Sequence, residues 1–152
     1  MSKLKISVPS ERFSTTATFL DKEAPKTCKG ILKAFPLELP LIHGQMSGNE
    51  SFVLMEGSRT LKLQPENWVF SAIPGDVLFF YSMWGDAKYF KDNEPFSEIV
   101  FVYGRHIRLN DISFRATAGN LFARMDGPLE EFAAICKKGR MEGGIKLKLE
   151  LV

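Results

Sequence analysis

Cysteine and histidine are scarce in this chain, with two of each among 152 residues. Cys28 and Cys136 are far apart, and neither has a second Cys or a His at metal-ligand spacing. A zinc motif or a disulfide framework is therefore not what organises the fold. Buried free thiols are the expected state, with a disulfide or a reactive thiol as the alternative. Two histidines, His43 and His106, cannot build a three-histidine metal centre, so no metal and no cofactor are expected. The phosphate-cradling Gly-rich loop, the dinucleotide fingerprint and the nucleophile elbow are all missing. No apolar run approaches membrane-spanning length, and Met1 to Ile6 alternates where a signal peptide would be continuously apolar. An excess of one charge is missing too. Twenty basic and 18 acidic side chains leave a net +2, far from the field that a phosphate backbone requires. The one basic cluster, Lys137-Lys138-Gly139-Arg140 with Lys146 and Lys148, is broken by Glu142 and Glu150 and reads as a solvated helix end and strand face. The expectation is a cytoplasmic protein that binds neither nucleic acid nor membrane.

What the chain does have is phenylalanine, 13 of them, which with Val, Ile and Tyr favours strands. Lys3 to Val8 alternates, with Leu4, Ile6 and Val8 on one face. After the turn Pro9-Ser10-Glu11, Phe13, Ala17 and Phe19 share a face opposite Ser14, Thr16 and Thr18. These two strands read as a hairpin. A helix then starts at Pro25, whose missing N–H suits a first helical position. Its apolar stripe is Ala24, Cys28, Ile31, Leu32 and Phe35, and Pro36 ends it. Strands follow over Leu41 to Met46 and Ser51 to Met55, with Leu61 to Leu63 as a short edge. Val77 to Tyr81 and Ile99 to Tyr103 are apolar on both faces and should be covered on both sides. Ser82 to Phe96 and Asn110 to Gly119 read as loops. After a strand at Leu121 to Met125, a second helix starts at Pro128 with Leu129, Phe132, Ala133 and Cys136 at i, i+3, i+4 and i+7, and Gly139 stands just beyond it. The last strand alternates Ile145, Leu147, Leu149 and Leu151 against Lys146, Lys148 and Glu150. Two helices cannot cover this many two-sided strands in an open sheet. Closing the sheet removes its edges and buries one face in a common interior. A mainly β (α+β) fold follows, a single domain over residues 1–152 built as a closed antiparallel barrel with two capping helices.

The element order and Ala24-Pro25-Lys26-Thr27-Cys28 in the first helix resemble cyclophilins. More of the chain resembles an uncharacterised prokaryotic group of unknown function with a cyclophilin-like fold. The matching segments are Glu23 to Phe35, Gly48-Asn49-Glu50, Ile73-Pro74-Gly75-Asp76, Tyr103-Gly104-Arg105, and Gly119-Asn120 through the second helix. The resemblance implies an eight-stranded barrel with two helices and carries no established activity with it. Cyclophilin catalysis, by the same resemblance, needs a strand arginine after a Phe-His pair and a Phe-Met-x-Gln-Gly segment. Here Ile42-His43-Gly44-Gln45 has Gly44 at the arginine position, and Phe52-Val53-Leu54-Met55-Glu56-Gly57 lacks the glutamine.

The candidate chemistry rests on a few polar side chains among apolar ones. His43 is either a satisfied structural histidine or a binding or acid/base group, since its ordinary pKa permits both. Glu50 shares a face with Phe52 and Leu54, as a solvated strand end or as a polar group at a pocket rim. Arg105 follows Ile99, Phe101 and Tyr103 on one face, which suits a carboxylate ligand or an ion pair with Glu50 or Asp76. Arg124 alternates with Phe122 and Asn120. His106 and Arg108 read as surface residues, and Tyr81, Trp84 and Tyr89 as pocket lining or an oligomer contact. The leading expectation is a small anionic metabolite bound on the barrel face by His43, Glu50, Tyr103, Arg105, Asn120, Phe122 and Arg124. The alternatives are a homo-oligomeric interaction module, and an enzyme with residual isomerase or hydrolase-like activity through His43 and Glu50.

Overall fold

A computed structural model describes residues 2–84, 94–111 and 114–152. The opening hairpin forms as the alternation requires. β1 (Lys3–Val8) pairs with β2 (Phe13–Phe19), Lys3 opposite Thr18 and Val8 opposite Phe13, and Leu4, Ile6, Val8, Phe13, Ala17 and Phe19 are buried. The remaining strands are β3 (Leu37–Pro40), β4 (Ile42–His43), β5 (Glu50–Glu56), β6 (Trp68–Val69), β7 (Asp76–Tyr81), β8 (Phe96–Val102), β9 (Gly119–Gly127) and β10 (Lys146–Leu151).

These strands make one antiparallel sheet in the order β3-β10-β1-β2-β9-β7-β8-β5-β4, with the short β6 added beside β9. The two ends of that order, β3 and β4, are consecutive in the chain and separated only by Leu41, whose N–H bonds to the Ile145 carbonyl at 2.9 Å. Leu37 to His43 is therefore one extended segment that changes partner, from β10 to β5, and its covalent continuity closes the barrel. Counted as one strand it gives the expected eight; counted by its hydrogen bonds it gives nine. Leu61 to Leu63 forms no strand.

The two-sided apolar strands are covered on both sides because the barrel has a second, outer cluster. Val77, Phe79, Ile99 and Phe101 point inward with the main core. Leu78, Val100, Val102 and Leu121 point outward, where Ala72 is buried with them and Phe52, Val69, Ile107 and Leu109 pack over them.

Helices α1 (Pro25–Leu32) and α2 (Leu129–Glu142) close the two ends. Phe132 of α2 sits 5.8 Å from the Phe13 ring and 5.9 Å from the Phe101 ring, the end where Phe101 pairs with Val77. α2 runs past Gly139, where a Cβ would come within 3.3 Å of Ile145, and stops at Gly143, whose φ of +68° suits glycine. α1 has Pro25 at its first position, but Ala24 before it offers no capping side chain. The cap comes from a distant loop. Glu66 accepts from the Lys26 N–H at 3.2 Å, the Thr27 N–H at 2.7 Å and the Thr27 hydroxyl at 2.8 Å, and these bonds hold its pKa below the usual carboxylate range against the opposing effect of burial. Glu66→Ala leaves those helix-end donors without their partner and is expected to cost about 1–2 kcal/mol in urea denaturation at pH 7, the range of a lost N-cap. The depressed pKa places this contribution above the unfolded-state carboxylate pKa and removes it as pH falls through the folded value, so the variant and the parent should converge in acid.

Candidate functional site

The hairpin from β4 to β5 is where the polar candidates meet. Pairing of Ile42 with Phe52 and of His43 with Ser51 puts His43 on the inward side and Ile42, Phe52 and Glu50 on the outward side. The connecting turn is tied down by backbone bonds. Gly44 N–H donates to the Glu50 carbonyl at 3.0 Å, Arg108 N–H to the Ser47 carbonyl at 2.8 Å, and Tyr103 N–H to the Asn49 carbonyl at 3.1 Å.

His43 and Tyr103 are both buried and bonded to each other. Nδ1 lies 2.7 Å from the Gly44 carbonyl, which can only accept, so Nδ1 carries the proton. Nε2 is then the acceptor for the Tyr103 hydroxyl at 2.5 Å. Burial lowers the His43 pKa and raises that of Tyr103, so both stay neutral.

Glu50 is buried, 5% exposed. Its Oε1 accepts from the Ser47 hydroxyl, while Oε2 is buried with no hydrogen-bond partner among the described residues. Removal from water pushes its pKa up to about 7, against the smaller opposing effect of the Ser47 bond. Gly44 makes this placement possible. A Cβ on residue 44 would overlap the Glu50 carboxylate and come within 2.6 Å of Ser47 Oγ. Glycine here is thus the space in which a carboxylate sits.

Glu50 lies on the wall of a cavity of about 280 Å³ on the outer barrel face. Its floor is Phe52, Leu78, Phe80 and Val100; Ile42 and Met46 form one side, and Leu109, Asn110, Asp111, Thr117 and Ala118 of the loop after β8 lean over it. A second carboxyl, Glu98, stands on the same floor. It faces Leu54 on β5 and Phe80 on β7. Burial, and then repulsion from Glu50, lifts its pKa to about 8. Glu98, Phe52, Ser47 and Asp111 were not among the sequence candidates. The available signal for Glu98 is a carboxylate between Phe96 and Val100 on one face of a strand that is apolar apart from it and Ser97.

Of the seven expected residues, the structure brings His43 and Glu50 to this cavity and Tyr103 to His43. The other four do not line it. Arg105 is exposed beyond the end of β8, because the chain leaves the sheet at Tyr103-Gly104, and its carbonyl accepts from Asn49 at 2.5 Å. Arg124 pairs with Asp76 at 3.3 Å. Asn120 is fully buried and satisfied. It accepts from the Glu66 N–H at 2.9 Å and donates to Thr27 Oγ1 at 3.1 Å and to the Gln64 carbonyl at 2.9 Å, which ties α1 to the loop that caps it. Phe122 is core, next to Phe19. With both arginines elsewhere, no Lys or Arg lines the cavity among the described residues, and the expected anion-binding wall is replaced by carboxyls. Tyr81 is buried, and the half-buried Trp84 packs against it and against Phe79 and Phe80; Tyr89 lies outside the described residues. Among the described residues the exposed Trp and Phe side chains are Trp68, Phe70 and Phe114. Cys28 and Cys136 are buried free thiols, each raised to about 12 chiefly by burial. Among the described residues no helix is long and apolar enough to cross a membrane, and no three His, Cys, Asp or Glu side chains gather as a metal site.

Residues 6–151 match the family described as a protein of unknown function, DUF3830. The chain belongs to that family. No curated protein matches it. Among solved structures it is similar to the one described as McbB in complex with tryptophan, with a TM-score of 0.67 and 14% identity. The match covers 97% of this chain and 44% of that one, so this chain spans less than half the length of McbB. At that identity the likeness is one of fold.

Two outcomes test the geometry. Gly44→Ala should cost at least about 1 kcal/mol less in a Glu50→Ala background than in the parent, since the two side chains compete for one space; additive costs would separate them. The raised Glu50 pKa means that the folded state holds its proton more tightly than the unfolded chain, whose carboxyl titrates near 4.5. That contribution to stability is complete below about 4.5 and is lost as pH rises through about 7. Glu50→Gln should therefore gain about 2–3 kcal/mol relative to the parent between pH 5 and pH 8 in urea denaturation, the free-energy equivalent of the shift.

Proposed function

We propose that this protein binds a small, mainly apolar molecule in the barrel-face cavity. The observation that carries this is the buried Glu50 oxygen without a partner, on the wall of an otherwise apolar hollow. A buried acceptor left unpaired costs the folded protein stability, and a ligand that donates to it recovers that cost. An apolar enclosure with a few convergent polar groups and titratable residues of shifted pKa is the usual composition of a small-molecule site, and about 280 Å³ lies near the lower end of such sites. Binding is favoured over proline isomerisation because Gly44 stands where the resemblance to cyclophilins leads one to look for arginine, and a carboxylate fills the space beside it. The McbB structure, in complex with tryptophan, suggests indole compounds as first probes.

The test is a thermal-shift and calorimetric screen with neutral, cationic and anionic indoles against the parent and Thr117→Trp, which places a large ring at the cavity rim. At least one indole should stabilise the parent, by about 2.7 kcal/mol at a hundredfold excess over Kd, and have no effect on a folded Thr117→Trp variant. Absence of stabilisation by all three, or equal stabilisation of the variant, would overturn the reading.

A further inference from the structure

The cavity has two acidic poles, and they narrow the ligand class. On β5, Glu50 pairs with Val102 and Leu54 with Glu98, so the two carboxyls project from the same outer face with Phe52 and Val100 between them. Four residues along a strand span about 14 Å between Cα atoms, and both carboxyls line the one cavity with Phe52 and Val100. Glu50 is bonded only through Oε1, to Ser47. For Glu98 no hydrogen bond or ion pair with a described residue is formed. The third carboxyl at the rim, Asp111, differs in that it is paired with Arg115 at 2.9 Å. Two carboxyls face a shared apolar hollow, and no Lys or Arg stands between them among the described residues.

We propose that the molecule bound there is an amine cation on an apolar body, its ammonium group held by Glu50 and the field of Glu98, its apolar part on Phe52, Leu78 and Val100. This rests on the cavity reading above and goes further by naming the charge. An ammonium supplies donors for both Glu50 oxygens, replaces the missing counter-charge, and removes the repulsion between the two acids. An anion would face two carboxyls with no basic side chain among the described lining residues, and a neutral molecule would leave the acids uncompensated.

The arrangement also couples binding to protons. Among the described residues, the titratable and charged groups around Glu50 are His43 from β4, Tyr103 just past β8, Cys136 from α2, and Glu98 and Asp111 in the shared cavity, Asp111 with its Arg115 partner; Arg140 of α2, outside the lining of the Glu50 cavity, acts on His43 and Tyr103. His43 and Tyr103 are held neutral by burial and by each other, and the Cys136 thiol titrates only near 12. Among these described groups that leaves Glu50 and Glu98, at about 7 and about 8, to change charge near neutrality. A cation favours their ionised forms, so its binding releases protons and strengthens as pH rises from 6 to 8.

Isothermal calorimetry with tryptamine, 3-methylindole and indole-3-acetate, which share one ring system but carry a cation, no charge and an anion, separates the cases. Tryptamine should bind tightest, gain close to tenfold in affinity between pH 6 and pH 7, level off above pH 8, and release protons, seen as a dependence of the heat on buffer ionisation enthalpy. 3-Methylindole should show none of these effects. Glu50→Gln should weaken tryptamine by about tenfold or more, the loss of a charge-assisted bond, while changing 3-methylindole little. Glu98→Gln should reduce the proton release. The pH profile and proton count are read on the parent protein and so do not depend on either variant folding. Equal affinity for tryptamine and 3-methylindole, preference for indole-3-acetate, or tryptamine binding without proton release would overturn the amine assignment and leave the cavity reading standing; no binding by any of the three would overturn both.

Discussion

Closure of the barrel through Leu37 to His43 is the constraint on which the site depends. One extended segment must satisfy β10 over its first half and β5 over its second, and the change of partner falls at Leu41. A sheet closed in this way leaves only short protected ends, which is how a chain with so many apolar strands avoids an exposed edge. It also fixes where β4 can turn back. The turn at Gly44 to Asn49 has to begin as soon as β4 has made its short ladder, and the backbone bonds to Tyr103 and Arg108 then set the entry to β5. Glu50 is the first residue of that strand, and its position follows from closure and not from any preference of a carboxylate for the place.

Holding a carboxylate there is costly. Burial alone would expel an ionised Glu50, and the protein answers with one hydroxyl, from Ser47, and a neutral side chain over part of the pH range. Gly44 contributes by having no side chain. A buried carboxyl kept in an apolar enclosure at a cost in stability is the kind of departure from core chemistry expected at a binding site.

Much of the architecture was legible because period-2 alternation and helix punctuation act locally. β1, β2 and β10 alternate cleanly, and α2 carries its apolar face at the spacing expected; the helix outran Gly139 because close approach of β10 makes glycine useful inside it. The barrel followed from counting two-sided strands. The site was less legible, for a register reason. Arg105, Asn120, Phe122 and Arg124 are polar or aromatic residues alternating along strands, but alternation says which residues share a face and not which face holds the cavity. Asn120 turned inward to bond α1 and its cap, and the bulge between Val77 and Leu78 against β9 moved Phe122 into the core and Arg124 outward to Asp76. Glu98 carries little local signal, being marked in the sequence only by its charge in a mainly apolar strand.

His43 and Glu50 show how strongly face decides chemistry. They lie on the two arms of one hairpin and contribute to the same cavity, yet strand pleat directs His43 inward to Tyr103 while Glu50 stays on the outer face with Phe52. The imidazole has both nitrogens engaged and a lowered pKa, so it is a poor proton acceptor where it stands. The carboxylate keeps a free oxygen and a pKa near neutrality. A histidine is the side chain first suspected of acid/base or ligand chemistry on composition alone. In this barrel the tautomer fixed by the Gly44 carbonyl and the Tyr103 hydroxyl takes His43 out of that role, and the same glycine that offers the carbonyl gives Glu50 its space. One small residue thus satisfies the histidine and admits the acid, and the Glu50 pole of the cavity follows from Gly44.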